Sequence, residues 1–410
     1  MPFSPKTRVA SPRLVVGVAA LLNLTSYVDR SCISVAAPQI GRELHLTPIQ
    51  LGSVFSSFFL LYALLQAPWG MLADRLGPRR IVAIAVFGWC TFTALTGAAM
   101  NYLALLAVRF AFGGMEPALG PAISSAFAAC VPEKSRAGAF GVFLAGGRIG
   151  GALAPVIAAF LVMRHGWRAA FIVLALAGLA VPFLWLRAVP SEPSSPNGRP
   201  GARTAITSQL SLRFGALLLV VFGYTIMWQF FATWYPTYLV ERRGFTLAVA
   251  AKYASVPFIL GIVSNWIGGW MCDALSRRFG VVLGRGFFGS MSLASSAALV
   301  YAGLARSDNA APWLFAASAG AGDLFLPLAW SAAAELGGPS AGAFAGLMNS
   351  ASNLGAFVAP LVIGVAIQRW RNWDATLLMG MAATSAAALL WIPVYWPIRR
   401  DPAADSCVAS

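Results

Sequence analysis

Twelve apolar runs, most of them twenty residues or longer, follow one another along a chain of 410 residues. They fall at about 14–38, 48–73, 79–99, 101–130, 137–163 and 167–189. After a break they resume at about 213–240, 248–274, 283–304, 312–335, 341–368 and 374–398. Each is long enough to cross a ~30 Å hydrocarbon core as a helix. Only 10% of residues are charged and 59% are hydrophobic, whereas soluble domains carry about 25% charged residues. One large soluble core is excluded. The fold class is all-α and polytopic, with twelve transmembrane helices, numbered here spans 1 to 12.

The break from Pro190 to Gln209 is rich in Pro, Ser, Gly and Arg and reads as a flexible linker. It divides the chain into a six-helix bundle over 1–189, a cytoplasmic linker over 190–212 and a second six-helix bundle over 213–410. The net charge of +15 does not mark a nucleic-acid partner, because the positives sit in short loops without aromatic interleaving. With the N-terminus inside, cytoplasmic segments hold 17 of the 29 Lys and Arg residues, outer loops hold nine and three lie within spans. Both termini are therefore expected in the cytoplasm, in a cell (inner) membrane, by the positive-inside rule. The apolar start is not a cleaved signal peptide, since cleavage would truncate the first span.

Five cysteines show no metal or disulfide spacing. The terminal Cys407-Val-Ala-Ser fits a prenylation pattern, but a lipid adds little to a chain already held by many helices. There is no nucleophile motif and no phosphate loop, so an enzyme is not expected, nor any cofactor beyond a proton as coupling ion.

The halves repeat. GMLADRLGPRR after span 2 recurs as GGWMCDALSRRFG after span 8, with Gly70 and Asp74 matching Gly269 and Asp273 at an offset of 199. Pro155 of span 5 pairs with Pro360 of span 11, and Trp167 and Trp373 open spans 6 and 12. Equivalent spans run in the same direction, as in transporters that rock two bundles about a central site.

The run Gly70-x-Leu72-Ala73-Asp74-Arg75-x-Gly77-x-Arg79-Arg80 resembles the signature loop of the major facilitator superfamily. The resemblance implies a gate formed by Gly70, Asp74, Arg75 and Arg79, with Asp273 in the second copy. Asp74 would face the N-terminus of span 11 near Ser340 and hold the cytoplasmic side shut. Tyr27-Val-Asp29-Arg30-Ser31, Phe58 to Gln66, Arg109-Phe-x-x-Gly113-x-x-Glu116 and Trp234-Tyr-Pro236-Thr-Tyr238-Leu-Val-Glu241 are similar to the anion:cation symporter family within it. That resemblance implies uptake of an organic anion such as a sugar acid or other carboxylate, driven by a proton gradient. It also implies that Glu116 is the main proton site and Asp29 a second.

Depth supports one cluster. A charge at the bilayer centre costs at least ~2.5–3.5 kcal/mol, so intramembrane charges mark function by default. Counting ~1.5 Å per residue, Asp29 lies ~22 Å into span 1, Arg109 ~12 Å and Glu116 ~22 Å into span 4, and Arg148 ~17 Å into span 5. Guanidinium offers a two-pronged match to a carboxylate and stays charged. Arg30 and Arg109 are the candidate substrate ligands and Arg148 a third. His45 and His165 lie in outer loops, which leaves Asp29 and Glu116 to carry protons. Asp29 and Arg30, about 100° apart on their helix, cannot share one face. The second half has no such pair and offers Tyr224, Trp228 and Gln229 of span 7 and Asn353 of span 11, with Tyr62 of span 2, as polar substrate contacts. Asp323, midway along span 10, reads as a structural hydrogen-bonding group.

The expected function is proton-coupled symport of a small organic anion by a monomer in the lipid bilayer, without a metal or nucleic acid. An anion exchanger, a proton-independent carrier and a transporter-like sensor are the alternatives.

Overall fold

The computed structural model describes residues 11–132, 135–189, 212–306, 310–337 and 341–395, and among these residues there is no strand. The expected linker, apart from Leu212, lies outside them, as do Ser340 and the terminal Cys407.

All twelve spans form helices. Spans 1, 2 and 3 are Pro12–Glu43, Pro48–Leu76 and Pro78–Ala98. Each opens on a proline, whose missing N–H costs nothing in a first turn. Thr47 caps span 2 through a reciprocal pair: its hydroxyl accepts from the Gln50 N–H at 3.2 Å, and its own N–H donates to Gln50 Oε1 at 2.9 Å. Span 4 is Tyr102–Met115, a single tight turn Glu116–Ala118, and Leu119–Cys130. Spans 5 and 6 run through Arg136–Gly178 and finish with Ala180–Ala188. They are joined without a loop at Gly166, whose φ of 77° is left-handed backbone that favours glycine.

Span 7 is Leu212–Gln229, a π turn Phe230–Trp234, and Tyr235–Glu241. Span 8 is Leu247–Phe279, and span 9 is Val282–Phe287 continued by Phe288–Leu304. Span 10 is interrupted, Ala310–Asp323 then Leu326–Gly337. Spans 11 and 12 are Ala341–Trp370 and Trp373–Tyr395.

Among the described residues nine segments are long and apolar enough to cross a membrane unaided, and the 51-residue Gly138–Ala188 holds two spans. The two that fall short have a chemical reason. Span 1 carries Asn23, Ser26, Asp29, Arg30 and Ser31 in its middle, and the break in span 10 leaves pieces of 14 and 12 residues.

The chain groups into two compact units. The first comprises 1–203, 229–262 and 356–376, and the second 204–228, 263–355 and 377–410. The core of the first includes Phe58, Trp89, Phe112, Phe127 and Trp185. Its spans 1 and 5 touch backbone to backbone, because a Cβ on Gly146 or Gly150 would meet the carbonyls of Ala20 and Leu24. The second unit packs around Phe214, Phe325, Phe344 and Trp391. The repeat is visible in geometry. Trp185 Nε1 donates to the Arg79 carbonyl at 3.2 Å in the first unit, and Trp391 Nε1 donates to the Arg285 carbonyl at 2.9 Å in the second.

Candidate substrate and proton site

Span 1 turns Arg30 toward an aromatic wall. Its guanidinium carbon lies 5.0 Å from the ring centre of Tyr27, 4.8 Å from Phe58 and 5.3 Å from Tyr62. Cations over ring faces are attracted by the ring quadrupole, more so when water is excluded. Span 4 supplies the counter-charge. Arg30 Nη2 donates to Glu116 Oε1, which also accepts from the Ser26 hydroxyl at 2.7 Å. The Arg30 side chain keeps 24% of its surface exposed and that of Glu116 only 2%. Arg30 is thus the open member of the pair. Glu116 sits where span 4 passes through its tight turn.

Asp29 faces the other way, as a helical neighbour must. A Cβ on Gly178 of span 6 would stand 3.9 Å from Asp29 Oδ2 and 2.8 Å from the Cys90 sulfur of span 3, so this carboxylate lies inside the first unit. Asp29, Arg109 and Glu116 are all within electrostatic reach of one another. Arg109 is 2% exposed. Its guanidinium lies over Phe112 at 4.5 Å and near Phe58 at 5.9 Å. Among the described residues Asp29 Oδ2, Glu116 Oε2, Arg30 Nε and the Nε and Nη1 of Arg109 are buried without a hydrogen-bond partner. These atoms are the unfilled acceptors and donors of the cluster.

The remaining expected residues are distributed as follows. Arg148 is partly buried on span 5, one residue beyond Gly147, where a Cβ would press on Asn23 and Tyr27. Tyr62 is partly buried beside Arg30. Gln229 is buried, with its amide 3.5 Å from the Ala356 carbonyl. Asn353 donates to the carbonyl of Asn349, one turn back on its own helix. Trp228 packs on the core of the second unit, and the Tyr224 hydroxyl donates to Asp323.

Of the residues expected to form a gate, a Cβ on Gly70 would stand 3.6 Å from Pro121, while Arg75 and Asp273 are exposed. Arg79 donates from Nε and Nη2 to the Leu186 carbonyl at 3.2 and 2.8 Å, which ties the start of span 3 to the end of span 6. The Asp74 side chain lies outside what the structure describes, as does its expected partner near Ser340.

Sequence reasoning missed Ser26 and the ring of Phe58. Ser26 precedes Arg30 by one turn, the spacing that puts two side chains on one face. Phe58 stood within a motif run, but nothing in sequence says that it lies between two arginines from different spans.

The model of the Major Facilitator Superfamily matches residues 19–360. A protein of Cupriavidus necator described as a probable sulfoacetate transporter is 31% identical, over 94% of each chain. A hexuronate transporter of Bacillus subtilis is 28% identical, over 93% of this chain and 94% of its own. Among solved structures, a bacterial homolog of the human lysosomal transporter Spinster, inward-facing and occupied, superposes with a TM-score of 0.81 at 18% identity. That match covers 97% of this chain and all of the other.

Proposed function

The chain belongs to the major facilitator superfamily, and from that premise we propose that it is a proton-coupled symporter of a small organic anion. It is a multi-pass membrane transporter and not an enzyme. The observation that carries the coupling is the pairing of Arg30 with a buried Glu116 on a neighbouring span. Arg30 has two claimants. While Glu116 is charged, it holds the guanidinium. A proton on Glu116 removes that charge and releases Arg30 to a substrate carboxylate, which it can grip with two parallel hydrogen bonds. Proton and anion then enter together because each relieves the cost of burying the other.

In this reading Arg109 and Asp29 form a second, interior charge pair that sets the field around Glu116, with Asp29 as an additional proton site. Arg109 reaches substrate only through a rearrangement that opens the first unit. Arg148, Tyr62, Gln229, Trp228 and Asn353 supply further contacts to the anion, whereas the Tyr224 hydroxyl, expected among them, is given to Asp323. Carboxylate is the group shared by sulfoacetate and a hexuronate, the substrates in the names of two relatives. The sulfonate of the first adds a second charge, which Arg148 suits. Alternation between sides uses bundles 1–189 and 213–410 about the central site, gated by Asp74 and Arg75 and the second copy at Asp273, in an inner membrane with both termini cytoplasmic.

The test is uptake into liposomes of purified protein, with sulfoacetate, a hexuronate and glucarate as probes. An inward proton gradient is expected to drive accumulation by the wild type. Glu116→Gln is expected to lose gradient-driven accumulation while retaining exchange of labelled for unlabelled anion. Accumulation without the gradient makes the protein a proton-independent carrier or exchanger, and normal accumulation by the variant removes Glu116 from coupling.

A further inference from the structure

The second half holds a buried carboxylate that the mechanism above does not use. Asp323 is 0% exposed and ends the first piece of span 10 as its fourteenth residue. Two turn residues, Leu324 and Phe325, separate it from the second piece. Glu116 stands one residue further on in its span, directly after a 14-residue first piece of span 4 and on that span's tight turn. Each carboxylate accepts a hydroxyl from the partner span of its half. Ser26 of span 1 donates to Glu116, and Tyr224 of span 7 donates to Asp323. The donors are 198 residues apart (26 to 224), close to the 199 of the signature loops, and the acceptors 207 (116 to 323), close to the 205 that separates Pro155 from Pro360.

Serines of spans 9 and 10 are bonded to one another and to the residues that precede Asp323. Ser296 of span 9 and Ser318 of span 10 are hydrogen-bonded through their hydroxyls at 3.1 Å, and Ser292 donates to the Ala321 carbonyl at 2.5 Å. Gly322 lets spans 7 and 9 approach, since a Cβ there would stand 3.3 Å from Ser296 Oγ and 3.5 Å from Tyr224. The Tyr224 phenol is a titratable group in direct contact with Asp323. On span 8, Gly268 packs on the Leu324 backbone, which puts Asp273 ~7.5 Å and Arg277 and Arg278 ~13–15 Å further along that helix, while Arg285 of span 9 and Glu335 of span 10 lie ~15 Å or more from the level of Asp323. A helix break alone needs no ionisable side chain, since an asparagine satisfies the same backbone without the cost of a charge at mid-span.

We propose that Asp323 is a second proton-binding site of the transport cycle, the second half's counterpart of Glu116. This rests on the proton-coupled reading above. A proton drawn from the gradient adds to the carboxylate and gives a neutral carboxylic acid. Tyr224 keeps its own proton and donates to Oδ1 in both states. Broken spans that place ionisable groups near mid-membrane are the usual seat of coupling ions in secondary transporters.

The experiment measures protons taken up per anion bound by the purified full-length protein. Binding heats in two buffers of different ionisation enthalpy supply that number, with sulfoacetate or a hexuronate as the probe. The wild type is expected to take up protons, and Asp323→Asn is expected to take up about one fewer at unchanged exchange activity. Tyr224→Phe, which keeps the carboxyl, is expected to shift the pH midpoint of uptake. Equal proton uptake by wild type and Asp323→Asn overturns the assignment while leaving symport intact. If Asp323→Asn does not fold, an unmoved midpoint in Tyr224→Phe overturns it. A wild type that binds anion without protons overturns both readings.

Discussion

The two halves of the molecule use one architectural device with two different chemistries. In each, one span breaks near its middle and presents a carboxylate to a hydroxyl on another span of the same half. The first half adds arginines, Arg30 and Arg109, held over phenylalanine and tyrosine rings. The second half places no Lys or Arg in the middle of spans 7, 10 and 11 and supplies tyrosine, serine and amide groups instead. The repeated frame is the same in both halves, and the proposed anion site follows the distribution of guanidinium groups between them.

The largest difference is expected at the charges. Arg30→Ala leaves Glu116 buried without its cation, and breaking a buried pair in this way costs about 3–5 kcal/mol. Anion binding is expected to fall below detection and the melting temperature to drop sharply. Adding Glu116→Gln is expected to recover much of the stability and none of the binding. Should the single variant melt like the wild type, the pair contributes nothing to folding and the contrast between the halves loses its energetic basis.

Much of this was legible in sequence, for identifiable reasons. Spans announce themselves through length and hydropathy, and the repeat through Gly70, Asp74, Pro155 and Trp167 with their partners. Depth counting along each helix brought Asp29, Arg30, Arg109, Glu116 and Arg148 into the middle half of the bilayer. It did not give their facing, and the structure buries Arg109 inside the first unit while leaving Arg30 partly open. Helical rotation at this resolution needs the neighbours' packing, which one chain's spacing does not contain. The same limit hid the Tyr224–Asp323 hydrogen bond, because Tyr224 and Asp323 come from spans a hundred residues apart.

Packing separates the halves on a smaller scale. Gly113 precedes Glu116 by three residues, and a Cβ there would overlap the Phe58 backbone, including a contact 2.7 Å from its Cα. Phe58 carries the ring between both arginines. Gly322 precedes Asp323 by one, but its nearest neighbour is a serine hydroxyl at 3.3 Å. Gly113→Ala is therefore expected to cost about 1–3 kcal/mol through overpacking and to weaken anion binding. Gly322→Ala is expected to cost less than Gly113→Ala on both counts. Thermal melting and anion titration of the two variants decide it. Equal losses mean that the second site is packed as tightly as the first.

The smallest effect is expected where the repeat reverses its signs. Glu43 at the end of span 1 accepts from Trp167 Nε1 at 2.5 Å and from Arg168 Nε at 3.0 Å, at the start of span 6. At the equivalent corner Arg242, just past span 7, donates to Asp374 of span 12 at 2.9 Å. The acid is on the earlier span in one corner and on the later span in the other. The indole N–H, followed by the guanidinium, holds the Glu43 carboxyl below its ordinary value of 4.5. A carboxyl whose pKa falls on folding adds stability that is complete above its unfolded pKa and disappears as pH falls through the folded one. Glu43 is half exposed, at 49%, so solvent screening keeps the contribution below about 1 kcal/mol. Melting temperatures measured from pH 6 down to about pH 3 are expected to fall less steeply in Glu43→Gln than in the wild type below about pH 4.5. Parallel curves mean that this corner holds its geometry without the charge, and that the sign reversal between the two corners carries no energetic weight.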